Sequence, residues 1–461
     1  MVRLTQDRDL AVNGSDAGDS SGEPLVRVGA PSVSSDHDAL ILQVHERLLR
    51  DMDARVLDEL SSEGAHSRVN AAALEILSEL VGSLAMVTRQ EIAEAVVDEV
   101  LGFGPLEPLL SDPDITEVMV NSPTEVFYER DGVIYASSVR FRDQEHIRRV
   151  ADRIVAPLGR RLDEASPMVD ARLPDGSRVN VVIPPVAVDS PTITIRKFQP
   201  NRFDFADLIR IGSVSEQAAG FLRACTASKV NVVVSGGTGS GKTTLLNALS
   251  EFIPREERIV TIEDPIEIRL RQPHVIRLEA RPPTGESTSE ITQRDLVRNA
   301  LRMRPDRILV GEVRGPEAFD MMQAMNTGHE GSITTVHANS PRDALSRIEN
   351  MIMMAGFELP IRAIREQMAS ALHLIVQISR LLDGSRRIIA ITEVSGMEGE
   401  LISLQDIFVM ERKGLDAEGR VLGVLQSTGI RPRMADRFAH FGVSEAWAAP
   451  PSPATTEAVL A

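Results

Sequence analysis

The sequence predicts an α/β fold, and three observations carry that expectation. From about residue 208 onward, short apolar runs with strand character alternate with helical stretches, the pattern of a mostly parallel sheet covered by helices. One of these runs, Val230–Val234, passes directly into a glycine-rich turn and then a helix. Upstream, over 102–199, β-like runs interrupted by one helix read as a smaller α+β domain.

The elements follow in order. Residues 1–36 are rich in Ser, Gly and Asp and poor in bulky apolar groups, so disorder is expected there. Over 37–101 the apolar residues fall at helical spacing, and three short helices predict a small bundle. The first uses Ile41, Val44, Leu48 and Met52, and the second covers 68–86. The third opens at Thr88-Arg-Gln-Glu91, which has the form of a capping box, and presents Ile92, Val96 and Val100. In the α+β segment the strand candidates are Glu117–Val120, Glu125–Tyr128, Val133–Tyr135, Val179–Ile183 and Thr192–Ile195, with a helix near 144–158. A linker is expected at 200–207, around Pro200. The large domain spans 208–412, with strands at Val230–Val234, Arg258–Ile262, Arg307–Val310, Ser332–Val336 and Arg387–Ile391. Residues 413–461 read as a C-terminal extension whose last dozen residues are frayed.

Composition narrows the function classes. The chain of 461 residues has room for roughly two to four domains. Hydrophobic residues at 43% and charged residues at 25% place it in the soluble globular class. Aromatics are only 3%, so the core must rest on aliphatic side chains. A net charge of −17 argues against a dedicated nucleic-acid binder, so no nucleic-acid partner is expected. The one cysteine, Cys225, cannot form an intrachain disulfide, reads as a small buried hydrophobe and fits a reducing cytosol. No apolar run is long enough to span a membrane, and the N-terminus lacks the apolar core of a signal peptide.

The strongest chemical signal is the run Gly236, Gly237, Thr238, Gly239, Ser240, Gly241, Lys242, Thr243, Thr244. Its glycines let backbone N–H groups converge on phosphate oxygens, and the helix that follows adds its positive end. Lys242 is expected to reach the β- and γ-phosphates of ATP, and the Thr243 hydroxyl to ligand Mg²⁺. No Asn-Lys-x-Asp base-reading motif of a GTPase follows.

Acids occur where a sheet would deliver them to that loop. Glu263 and Asp264 directly follow the apolar run Ile259–Ile262 and can orient water or metal, although Asp264-Pro265 can equally serve as a turn. Ile308–Glu312 has the Walker B shape, with Glu312 as partner of a Mg²⁺-bound or attacking water. Asp306, before the strand, reads as structural. Arg302, Arg304, Arg307 and Arg314 form either a solvated face or a subunit contact. His329 and His337 are eight apart without a nearby cysteine, a poor metal motif. His337 either senses the γ-phosphate through a hydrogen bond or is a satisfied core histidine.

Taken together and in this order, the Walker A run Gly236–Thr244, the acidic box Thr261–Glu267, the Walker B run Ile308–Glu312 and the histidine box Gly328–Asn339 resemble the secretion ATPases of type II, type IV pilus and type IV secretion systems. The resemblance covers residues from about 100 to 412. Ile115–Asn121, Arg161–Asn180, Thr194–Phe198 and Ile391–Gly399 look like the Tad (Flp) pilus ATPases of the CpaF/TadA type, and the tetracysteine zinc motif of type II secretion ATPases is absent. The resemblance implies a RecA-like P-loop motor domain preceded by a smaller α+β, PAS-like domain and an N-terminal helical bundle. It further implies a homohexamer in the cytoplasm, peripheral at the inner membrane through polytopic platform proteins. It implies that Glu263 and Glu312 share water activation and metal orientation, and that His337 couples nucleotide state to the domain interface. It also implies that Arg178 and Arg196 reach the γ-phosphate, a task suited to the planar, permanently charged guanidinium.

Two other functions start from the same loop. A nucleotide-gated regulatory or structural ring with little turnover is opposed by the intact Lys242, Glu263 and Glu312. A nucleic-acid translocase of related hexameric design is opposed by the −17 charge and the lack of a recognisable DNA-binding module.

Overall fold

A computed structural model describes residues 27–28, 35–51, 62–81, 84–130, 132–158, 161–198, 203–281, 289–444 and 447. They fall into two compact units, Met1–Phe198 and Gln199–Ala461. Most of 1–36 lies outside the described residues, as do Met52 and 448–461.

The first unit opens with helices Ser35–Asp51, Ser62–Leu80 and Met86–Leu101. Val44, Leu48, Val69, Leu77, Ile92 and Val96 close a core between them, with Val100 partly buried beside it. The third helix starts two residues before the expected cap. Ala85 occupies the cap position without a side-chain bond, and the Arg89 N–H already donates to the Ala85 carbonyl. Thr88 therefore lies within the first turn, and the capping-box reading is corrected.

A sheet follows, made of β1 (Arg27–Val28), β2 (Ile115–Ser122), β3 (Glu125–Arg130), β4 (Val133–Ala136), β5 (Met168–Arg172), β6 (Arg178–Val182) and β7 (Thr192–Arg196), in the order β1-β4-β3-β2-β7-β6-β5. β1 lies inside the segment read as disordered, where its backbone pairs in parallel with Tyr135 and Ala136. Alternation along β6 and β7 turns Val179, Val181, Ile193 and Ile195 inward. They meet Ile147, Val150 and Ile154 of the amphipathic helix Gln144–Val155, whose N-terminus Asp143 caps by accepting from the His146 N–H at 2.7 Å.

The second unit is a nine-stranded sheet in the order β10-β9-β11-β12-β8-β13-β14-β15-β16. The strands are β8 (Val232–Ser235), β9 (Ile259–Glu263), β10 (Val275–Glu279), β11 (Arg307–Val310), β12 (Ile333–Val336), β13 (Leu374–Arg380), β14 (Arg386–Glu398), β15 (Leu401–Leu415) and β16 (Val421–Ser427). β10 through β13 in that order are parallel, and β13 to β16 form an antiparallel meander. Both faces of the parallel part are covered, which is why Val232, Val233 and Val234 of β8 form an unbroken apolar run. Val232 and Val234 face the helices Glu216–Ala227 and Lys242–Ser250, while Val233 faces Glu317–Asn326, Pro341–Met353 and Ile361–Ala371. No helix of the described residues is long and apolar enough to cross a membrane.

Three further differences from the sequence reading have physical causes. The sheet does not stop at residue 412: antiparallel pairing with β15 turns Val421 and Leu425 inward, and Phe438 and Trp447 pack against Phe221. Helix Phe205–Arg210 begins inside the expected linker, fixed by a capping box between Asp204 and Asp207 and by burial of Phe205. Arg307 is not solvated: it is fully buried, paired with Glu257 at 2.5 Å and bonded to the Gly331 carbonyl. Asp306 accepts from the Arg258 N–H at 2.8 Å. Cys225 is buried and free.

The start of β8 is pinned by Asn231. Its side chain accepts from the Gly331 and Ser332 N–H groups and donates to the Ala371 carbonyl, and its own N–H donates to His373 Nδ1 at 3.0 Å. Burial, helped by Arg437, lowers the pKa of His373 from 6.5 to about 4, so the neutral ring is favoured in the fold. The unfolded chain binds the extra proton between those values. This contribution is therefore complete above pH 6.5 and is lost as pH falls toward 4, at most about 3 kcal/mol. Urea titrations at pH 7 and 4.5, with an NMR titration of the His373 ring, check this. A ring titrating near 6.5 contradicts it.

Candidate active site

The parallel strands deliver the chemistry to one edge. β8, β9, β11 and β12 are neighbours running the same way, so the residues after their C-terminal ends converge. These are Gly236 after β8, Glu263 at the end of β9, Glu312 two residues beyond β11, and His337 next after β12.

The glycine-rich loop is tightly built. A side chain on Gly236 would place its Cβ 2.4 Å from the Ile378 carbonyl oxygen and 2.5 Å from Ser240 Oγ, so only glycine fits there. Gly241, at φ 96°, turns the chain into the helix Lys242–Ser250. Ser240 Oγ donates to the Gly237 carbonyl at 2.8 Å. Lys242 is the first residue of the helix and is only 7% exposed. Its Nζ donates to the Gly237 carbonyl at 2.9 Å and lies 3.3 Å from His337 Nε2. Thr243 Oγ1 donates to Glu267 Oε2 at 3.2 Å.

The two acids differ. Glu312 is half-buried; its Oε1 lies 2.8 Å from His337 Nε2 and its Oε2 accepts from Arg314 Nη2 at 2.7 Å. Lys242, His337, Glu312 and Arg314 thus form a continuous polar chain. Burial and the Lys242 charge lower the pKa of His337, against a smaller upward pull from Glu312. Its Nε2 is then a single atom shared by a lysine donor and a carboxylate acceptor, and it serves one or the other according to its tautomer. Glu263 is almost fully buried. Its Oε2 accepts from the Glu267 and Ile268 N–H groups at 2.6 Å each and so holds the loop after β9, and the Thr261 hydroxyl is the other group beside the carboxylate. Burial raises its pKa, against those two N–H bonds.

The residues fit a nucleoside triphosphate with magnesium. Cβ atoms added at Gly237 or Gly239 would meet nothing within 4 Å, so the loop is open where phosphate oxygens must approach. A helix N-terminus, a lysine, the Thr243 hydroxyl and the Glu267 carboxylate stand beside it.

Arg178 and Arg196 belong to the first unit. They are direct register partners on β6 and β7, on the face opposite Val179 and Ile195. Arg172 stands opposite Arg178, and Glu117 opposite Arg196 with its Oε1 3.8 Å from Nε. Arg172, Arg178, Arg196 and Glu117 thus form one row across β5, β6, β7 and β2. Arg172, Arg314, Glu267 and Arg386 are not singled out by the sequence as site residues. Arg314 has a local signal, two positions after the Walker B acid, and so does Glu267, the last residue of the acidic box.

Residues 99–420 match the family model described as "Type II/IV secretion system protein". A Mycobacterium tuberculosis protein named for conjugal transfer is 40% identical over 309 residues, covering 66% of this chain and 87% of its own. Type IV secretion system protein PtlH of Bordetella pertussis is 36% identical over 309 residues, covering 61% of this chain and 91% of its own. The crystal structure of the VirB11 ATPase from the Brucella suis type IV secretion system, in complex with sulphate, is 32% identical with a TM-score of 0.35, covering 62% of this chain and 94% of that one.

Proposed function

Because the chain belongs to the Type II/IV secretion system protein family, we propose that it is an ATP-hydrolysing motor that drives a pilus or secretion machine. The observation that carries this is the convergence of Lys242 Nζ, His337 Nε2 and Glu312 Oε1 beside the glycine-rich loop. Lys242 follows the β- and γ-phosphates, and Thr243 and Glu312 would hold magnesium or its water shell. Bound magnesium neutralises charge across the phosphoryl oxygens. Glu312 and Glu263 share the orientation of the attacking water, and His337 relays the state of the γ-phosphate from Lys242 to Glu312.

The finer reading is a RecA-like motor domain working with the α+β domain as a homohexamer of the Tad/CpaF type, cytoplasmic and bound at the inner membrane through polytopic platform proteins. The sequence motifs support it. In this mechanism Arg178 and Arg196 bring guanidinium charge to the γ-phosphoryl group as it leaves. Arg178→Ala or Arg196→Ala then lowers turnover by about a hundredfold or more, with ADP affinity little changed. Arg→Lys rescues only in part, because an ammonium lacks the fork. Steady-state ATPase rates read beside melting temperatures decide it. Two folded variants with wild-type rates contradict the arginine role, and a monomer at all concentrations in sedimentation contradicts the ring.

A further inference from the structure

We propose that Arg386 is a positioning residue for the nucleotide, holding the glycine-rich loop through the Gly239 carbonyl and lending its charge to the phosphates. The inference rests on the ATP reading above and deepens it.

Arg386 is 147 residues from Gly239 in sequence, and it arrives through the topology. β13 lies beside β8, and the β13–β14 hairpin returns to the loop. Its Nε donates to the Gly239 carbonyl at 2.9 Å. Its Cδ lies 3.4 Å from where a Cβ would stand on Gly241, so the aliphatic stem covers the left-handed turn into the helix. The loop is thereby tied at two carbonyls: Gly237 receives Lys242 and Ser240, and Gly239 receives Arg386. The Gly239 carbonyl and the Ser240 N–H belong to one planar peptide, so fixing the first fixes the direction of the second.

The base of this side chain is rigid although its end is exposed. Ser213 Oγ donates to the Arg386 carbonyl at 2.5 Å, and the Ile388 N–H donates to the Ser213 carbonyl at 2.9 Å. The preceding turn is locked by Asp383, which accepts from the Ser385 N–H, the Ser385 hydroxyl and the Val421 N–H at 2.9, 2.6 and 2.8 Å. Immobilising a long exposed side chain costs rotamer entropy. Among the described residues no carboxylate pairs with Arg386 to offset that cost, so its charge is left for an anion at the loop.

The test compares the full chain with Arg386→Met, which keeps the stem but loses donor and charge, and Arg386→Lys, which keeps charge and one donor. The readouts are equilibrium binding of Mg·ATP and Mg·ADP, steady-state kinetics and melting temperature without nucleotide. Arg386→Met should weaken ATP binding and raise KM about tenfold, with kcat within about twofold and an unchanged melting temperature. Arg386→Lys should recover a substantial part of the affinity. Wild-type affinity and KM in a folded Arg386→Met overturns the inference. So does a fall in melting temperature that parallels the loss of affinity and is not rescued by lysine, since that marks a structural role. A wild-type chain that does not bind ATP overturns the ATP reading itself, and this inference with it; that outcome is separate because it needs no variant.

Discussion

Lys242→Ala loses ATP hydrolysis by at least about a thousandfold, because it removes the charge that follows the β- and γ-phosphates through the transition state. The structure adds a second consequence. Lys242 is buried and donates to the Gly237 carbonyl, so its removal also loosens the loop. A modest loss of stability, about 1–2 kcal/mol, accompanies the loss of that charged hydrogen bond. His337 Nε2 loses its lysine neighbour and is left to Glu312 alone. Phosphate release and a melting curve on one preparation check both consequences. A folded variant with wild-type turnover refutes the assignment of the loop.

Glu312→Gln and Glu263→Gln separate the two acids. Glutamine at 312 keeps the shape but loses the charge held between His337 and Arg314. It should bind ATP, turn over about a hundredfold or more slowly, and melt near the wild-type temperature. Glutamine at 263 is different. Its oxygen can still accept from the Glu267 and Ile268 N–H groups, but its NH₂ has two protons to donate and only the Thr261 hydroxyl beside it. A buried unsatisfied donor costs about 1–3 kcal/mol, so this variant should lose stability as well as rate. A Glu263→Gln chain of normal stability that is slower than Glu312→Gln places the base after β9 instead.

What the sequence revealed follows from the range of the interactions. The run Val230–Val234 into Gly236–Thr244 is legible because strand, turn and helix are contiguous and each needs particular residue types. Glu263, Glu312 and His337 are legible because each lies at or within two residues of the end of an apolar strand, and parallel strands end at the same edge. Arg386 is not, since nothing local marks it and its partner is fixed only by the pairing of β8 with β13. β13 is not legible, because Leu374–Ile378 follows closely on a helix, and β10, half exposed at the sheet edge, lacks a clear apolar pattern. Arg307 looked like a surface charge because its partner Glu257 lies fifty residues away. Thr88 illustrates the opposite error: a local motif of the right form was overruled when the helix began at Met86.

The most direct test of the motor reading is phosphate release by the purified full chain across a range of Mg·ATP concentrations, with Lys242→Ala and Glu312→Gln beside it. The account predicts saturable, magnesium-dependent turnover in the wild type that falls to background in Lys242→Ala and by about a hundredfold or more in Glu312→Gln. A folded wild-type chain that binds ATP yet releases phosphate no faster than the Lys242→Ala variant contradicts it.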